Sequence, residues 1–440
     1  MNTKVTGGGN LLGSSLSRRS ILKAGGLLTF AAASAGSLSA CGGSSAGGST
    51  KKITWATGND TLSIPHWKKA AEEFMANNPG VEINFTLIPD GPLDAWLVAR
   101  TTAGEAPDIV NMGVSAVGRY IGNGTAMNIA DHIGAGYIDD YIPGMRALVA
   151  KEGGVYGIPQ QAACMATFYR KDILGKIGIA PGGSIDGAWT QDELRTIAVE
   201  SKKITGAYGM SYGFINANSG NRWLPILYQR GGALFEDDGV TPAIQSEIGI
   251  EALEWTRKLY ADGLISASNS VKSSQTDTAT SLFTNNQVGF MIHEDIGAMK
   301  NTGFDPALWD VDYMFRDKTT ATNLSGSVNV VTSSSRNPDV AAAFLAYASD
   351  KEHTVKRLRD QGGIAAQGNI TAAEVGYNFR PEATQRFIDQ LKTVPEAVGR
   401  DMAGPDYQKV REVLGDSLDL LFTGSATAKE TADRIAAGLK

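Results

Sequence analysis

An α/β fold is predicted for this chain of 440 residues by three features of the sequence from Lys51 onward. Alternating β-rich runs are followed by amphipathic helical stretches, turn signals separate them, and the strand–helix alternation is dense enough for a layer with a parallel sheet. KKITWAT at 51–57 reads as the first strand and stops at the polar turn GND, 58–60. HWKKAAEEFMANNPG follows as an amphipathic helix, because Trp67, Ala70, Ala71 and Phe74 fall at helical spacing and NPG is its stop. VEINFTLIP alternates as a second strand, LDAWLVARTTAGE is a second helix, and APDIVNMG is a third, short strand. In open sheets of this kind ligands lie beyond the carboxyl ends of the strands, here 57–60 and 111–115.

Further along, TQDELRTIAVESKKI, ALEWTRKLYADGLI, NPDVAAAFLAYASDKEHTVKRLRD and DYQKVREVLGDSLDLLFTG each read as a helix. The short strands GVYGIPQ, QVGFMIH and SVNVVTS lie between them, and no repeat of fixed period is present.

The first fifty residues differ in kind. Arg18, Arg19 and Lys23 stand in a region without an acidic residue before Cys41, ahead of an apolar, Gly/Ala/Ser-rich stretch at 24–38. That stretch is short for a membrane span and has the layout of an export leader. SRRSILK resembles the twin-arginine signal, and LSAC at 38–41 resembles the lipobox of bacterial lipoproteins. The resemblance implies cleavage before Cys41 and acylation of its thiol, with at least two acyl chains needed for stable anchoring. GGSSAGGST then forms a flexible tether with a reach of roughly 15 to 20 Å. The expected location is the outer face of the cell membrane, with residues 1–40 as leader and 41–50 as tether.

Losing the four positive charges of residues 1–40 takes the formal net charge from −6 to −10. An acidic surface without a basic cluster argues against nucleic acid as a partner. With Cys41 acylated, Cys164 has no disulfide partner within the chain; it sits in the apolar-rich run AACMATFY and reads as a small buried hydrophobe. The four histidines, His66, His132, His293 and His353, show no metal-ligand spacing. No HExxH or GxxxxGK[ST] motif occurs and no GxSxG stands at a strand-to-helix elbow, so no metal or other cofactor is expected.

The order of the segments resembles the extracytoplasmic solute-binding proteins of ABC importers, in their sugar-binding, maltodextrin-type branch. The residues that carry this are the first helix with its Pro-Gly stop at 67–80, TTAGEAPDIVNMG, YGIPQQAACMATFYRKDIL, AWTQDEL, LYQRGGALFEDDG and LFTNNQVGFMI. Two positions depart from it: His293, Glu294 and Asp295 replace a Gly-x-Trp turn, and GIAA at 363–366 lacks a proline. The resemblance implies a two-lobed periplasmic-binding-protein fold of type II, each lobe a mixed, mainly parallel sheet flanked by helices. Crossings fall near Gln161, Ser327 and Gly368, so lobe 1 is 51–161 with 328–368 and lobe 2 is 162–327 with 369–440. It further implies a monomer that closes on a small carbohydrate and presents it to permease subunits.

Sugar hydroxyls need donors and acceptors, and sugar C–H faces pack on aromatic rings. Lobe 1 offers Asn59, Asp60, Asn111 and Ser115 at strand ends, and Gln160 and Gln161 sit at the first crossing. Lobe 2 offers Trp223 as an aromatic platform, then Glu294, Asp295 and Tyr407. Each has a plainer reading: Asn59 and Asp60 make a turn, the glutamines are solvated linker residues, and Trp223 is core. His66 or Trp67, at the start of the first helix, is a further candidate for facing the cleft. Only Arg222 and Arg380 are placed to hold an anion, and Arg380 reads equally as an ion-pair partner, which favours a neutral, hydroxyl-rich ligand. The rivals are a secreted glycoside hydrolase using carboxylates from Asp60, Glu294 and Asp295, and a receptor for a polyamine or glycerophosphodiester. A cell-wall adhesin would show repeats or a low-complexity stalk.

Overall fold

The computed structural model describes residues 50–440 apart from 59, 90–92, 215–218, 237, 273–277, 295, 301 and 405. The leader, most of the tether with Cys41, and the site candidates Asn59 and Asp295 lie outside the described residues.

Eleven strands run along the described chain: β1 Lys51–Thr57, β2 Val81–Leu87, β3 Ile109–Gly113, β4 Ala150–Lys151, β5 Gly154–Val155 and β6 Ile158–Ala163. β7 Ala166–Arg170, β8 Met210–Tyr212, β9 Phe290–His293, β10 Trp309–Asp312 and β11 Ser325–Val331 complete them. One sheet has the order β2-β1-β3-β11-β6 and a second the order β10-β7-β9-β8. Each sheet is the centre of one lobe. The chain leaves the first sheet at Ala163, enters the second at Ala166, and returns between Asp312 and Ser325. It passes back a third time between Gln367, bridged to Tyr141, and the helix Pro381–Leu391 packed on β10.

The expectation of mainly parallel sheets needs correction. β1 is parallel to both β2 and β3, but β11 runs antiparallel to β3 and β6. In the second sheet β7 is antiparallel to both β9 and β10, and only β8 and β9 are parallel. Parallel neighbours need a crossover helix, whereas strands that arrive from the other lobe can pair without one. β7 and β11 are such strands.

The first helix, Ile64–Asn77, buries Trp67, Ala70, Ala71 and Phe74, the face its spacing predicts. Asp60 prepares its start: Oδ1 accepts from the N–H groups of Leu62 and Ser63 at 3.1 and 3.0 Å. Trp55 of β1 is the centre of the first core, stacked on Trp67 at 4.9 Å and flanked by Phe85 and Phe344. Phe168, with Trp309 and Phe387, plays that part in the second. Cys164 lies buried between the lobes' first crossing strands, and burial pushes its thiol pKa up.

The run at 337–360 is two helices, Pro338–Ala348 and Lys351–Gln361. Asp350 separates them, its carboxylate accepting from the His353 N–H at 2.8 Å as the N-cap of the second. No described helix is long and apolar enough to cross a membrane.

Candidate functional site

A cleft of about 860 Å³ opens between the two sheets. Its floor is the crossing strands, Gln161, Ala162 and Ala163 with Ser325 and Gly326. Gly326 has φ +132, and a Cβ there would come within 2.1 Å of the Gln161 carbonyl oxygen, so the two crossings touch only because this residue is glycine. The first lobe contributes Leu62 and the end of the Lys351–Gln361 helix, with Asp360 and Gln361. The second contributes Glu294, Ile296, Lys300, Asn378 and the half-buried ring of Phe379. A smaller recess of about 190 Å³ shares Glu294, Ser325 and Gly326 with it and continues to Gly113, Ser115, Asn221, Arg222 and Arg411.

Of the predicted site residues, Gln161 and Glu294 line the main cleft and Ser115 lines the recess. Asp60 reaches the same wall indirectly. Its Oδ2 accepts from Gln361 Nε2 at 3.1 Å, and that nitrogen also donates to Gln161 Oε1 at 2.8 Å. One oxygen of Asp60 thus makes the turn and the other holds Gln361. Glu294 is ion-paired with Arg222 and accepts from Asn323 Nδ2 at 3.1 Å, so part of its acceptor capacity is already used. His66 does face a cleft residue, with Nε2 2.9 Å from Asp360, while Trp67 is core.

Four candidates are corrected. Asn111 on β3 and Gln160 on β6 meet across β11: Asn111 Nδ2 donates to Gln160 Oε1 at 2.6 Å and to Asn329 Oδ1 of β11 at 2.8 Å. Their amides serve the sheet, and neither lines the cleft or the recess. Trp223 is fully buried, with its indole N–H donating to Thr256 Oγ1 at 2.9 Å, so it presents no face to a ligand. Asn221 and Arg222 before it belong to the short turn Gly220–Trp223 and line the recess. Tyr407 is buried at the start of the helix Tyr407–Phe422, and burial raises its pKa.

Neither candidate anion holder is available. Arg222 is bound to Glu294, and Arg380 donates to the carbonyls of Pro306 and Trp309, approaches Asp310 at 3.3 Å and stacks over Trp309 at 4.3 Å. Sequence reasoning missed Gln361, Lys300, Phe379 and Arg411. The first closes a helix read as reaching only Asp360, and the others have no local signal, because the third crossing and the C-terminal helix carry two of them to the cleft. Among the described residues no group of His, Cys, Asp or Glu is arranged to hold a metal ion.

Two lobes around a polar cleft crossed by three chain segments define a solute-capturing class of protein. The chain belongs to the bacterial extracellular solute-binding protein family, whose model matches residues 69–375. A lactose-binding protein of Rhizobium radiobacter is 25% identical over 356 residues, covering 76% of this chain and 80% of that protein. An arabinooligosaccharide-binding protein of Bacillus subtilis is 21% identical over 396 residues, covering 82% and 85%. A solved cyclo/maltodextrin-binding protein complexed with maltotetraose superposes with a TM-score of 0.73 at 19% identity, over 90% of this chain and 97% of that one. A cyclic α-maltosyl-1,6-maltose binding protein from Arthrobacter globiformis gives 0.72 at 18%, over 88% and 97%. At that identity the structural likeness carries the two-lobed fold. The family is one of binding proteins, which sets the glycoside hydrolase reading aside.

Proposed function

We propose that this chain is the receptor of an ABC importer and captures a small, neutral carbohydrate between its lobes. One observation carries the reading: the amides of Gln161 and Gln361 and the carboxylates of Glu294 and Asp360 share one cleft with the ring of Phe379. Amides and carboxylates match hydroxyls, and an aromatic ring matches the C–H face of a sugar. Phe379 takes the place given to Trp223, since none of the seven tryptophans lines the cleft. The sugars in the names of the relatives support the same class. The lobes in this reading are 51–161 with 328–368 and 162–327 with 369–440. Closure on the ligand presents a joined surface to the permease.

The protein acts as a monomer held at the outer membrane face through lipid on Cys41, after a twin-arginine leader. A Cys41→Ala variant should leave the membrane fraction with its melting temperature unchanged; firm membrane retention contradicts the anchor. A thermal-shift panel of neutral oligosaccharides, polyamines and phosphodiesters tests the ligand class, because a native-state ligand raises the melting temperature. A rise with sugars alone supports the proposal, and a rise only with charged solutes overturns it.

A further inference from the structure

We infer that Arg357, buried behind the cleft, is a positioning residue that fixes the amide of Gln361 and through it the donor–acceptor order of the cleft wall. The inference rests on the reading of this cleft as the binding site. Arg357 belongs to the Lys351–Gln361 helix and is 3% exposed. Its Nη1 donates to Gln361 Oε1 at 2.7 Å and its Nη2 to the Gln160 carbonyl at 2.9 Å, so it ties that helix to β6.

A guanidinium can only donate, and an ionised carboxylate can only accept. Gln361 stands between one of each, Arg357 behind and Asp60 in front. Its amide satisfies both in a single orientation, oxygen inward and NH₂ outward. The flipped amide would set NH₂ against the guanidinium and oxygen against Asp60 Oδ2 and Gln161 Oε1, losing three hydrogen bonds. With the order fixed, the Gln161 oxygen is engaged and its NH₂ is the group left to donate to a ligand. Asp60 keeps acceptor capacity beside it. Arg357 thus imposes a donor next to an acceptor on the first lobe's wall, which suits a hydroxyl able to serve as both. Burial lowers the Arg357 pKa to about 10, and the Asp60 charge acts against that shift. A buried cation supported mainly by neutral oxygens is costly to keep for packing alone.

Gln361→Glu separates positioning from packing. It gives Arg357 a charged acceptor but replaces the outward donor with an oxygen facing Asp60 and Gln161. Calorimetry with lactose, maltotriose and linear arabinotriose should show about tenfold or greater weakening for the sugar bound best. Binding within twofold of wild type overturns the inference. A second readout needs no ligand: the Gln361 side-chain NH₂, assigned in amide NMR spectra by its loss in Gln361→Glu, should exchange slowly with water in wild type. In Arg357→Met it should exchange at least tenfold faster. If wild type binds none of the three sugars, the carbohydrate reading fails alone, and unchanged exchange in Arg357→Met is then the result that overturns the positioning role.

Discussion

Arg411 Nη1 donates to Ser115 Oγ at 3.0 Å, joining two residues 296 positions apart across the interlobe recess. Ser115 opens the helix Val114–Gly122 on the first sheet. Arg411 lies on the helix Tyr407–Phe422, which packs against the helices Glu247–Ala261 and Ala428–Leu439 and also against Val114–Gly122. Burial lowers the arginine's pKa, so it stands partly removed from water. On the proposed lobe bounds the contact spans the two bodies whose relative motion the proposed function requires.

Ser115→Ala should therefore open the ligand-free protein. Loss of one charge-assisted hydrogen bond would shift the ratio of closed to open forms by about tenfold. Small-angle scattering without ligand should give a larger radius of gyration for the variant. An unchanged radius contradicts a bridging role.

Trp223→Ala should cost about 3 to 5 kcal/mol of stability, as truncation of a buried aromatic does. Affinity measured well below the melting temperature should stay near wild type. Loss of binding with an unchanged melting temperature would restore Trp223 as a platform.

Asp401 supplies a pH dependence. It lies on the helix Glu396–Met402, accepts from the Tyr228 hydroxyl at 3.2 Å, and burial raises its pKa to about 6. The folded pKa lies above the unfolded value of about 3.9, so the native state binds the proton more tightly. Its contribution is most favourable below pH 4 and falls as pH rises towards 6; above that the charged form costs on the order of 2 to 3 kcal/mol. Asp401→Asn keeps an acceptor for Tyr228 and should raise the melting temperature at pH 7.5 but hardly at pH 4. Equal changes at both pH values contradict this origin.

What the sequence revealed followed local periodicity. The spacing of Trp67, Ala70, Ala71 and Phe74 identifies the buried helix face, and Thr190 with Glu193 forms a capping box where WTQDE starts a helix. The break at Asp350 was hidden because the apolar stripe of one helix runs directly into the next. Trp223 misled because polar neighbours in sequence are no measure of burial; that depends on Thr256 and the helix bearing it. Asn111 and Gln160 engage each other across β11, and which side-chain amides meet in a sheet is decided by strand order and register, here between residues 49 apart. The Arg357–Gln361–Asp60 chain joins the end of β1 to the far end of a helix some three hundred positions on, beyond any local pattern.

The central claim is a neutral, hydroxyl-bearing ligand in the interlobe cleft, and titration calorimetry with neutral oligosaccharides at low and high salt tests it most directly. Recognition by amides, paired carboxylates and Phe379 predicts binding whose affinity changes less than about twofold between 20 mM and 500 mM salt, since screening acts on unpaired charges. Tight binding of an amine or an anion that weakens steeply with salt, with no heat from any oligosaccharide, would contradict the account.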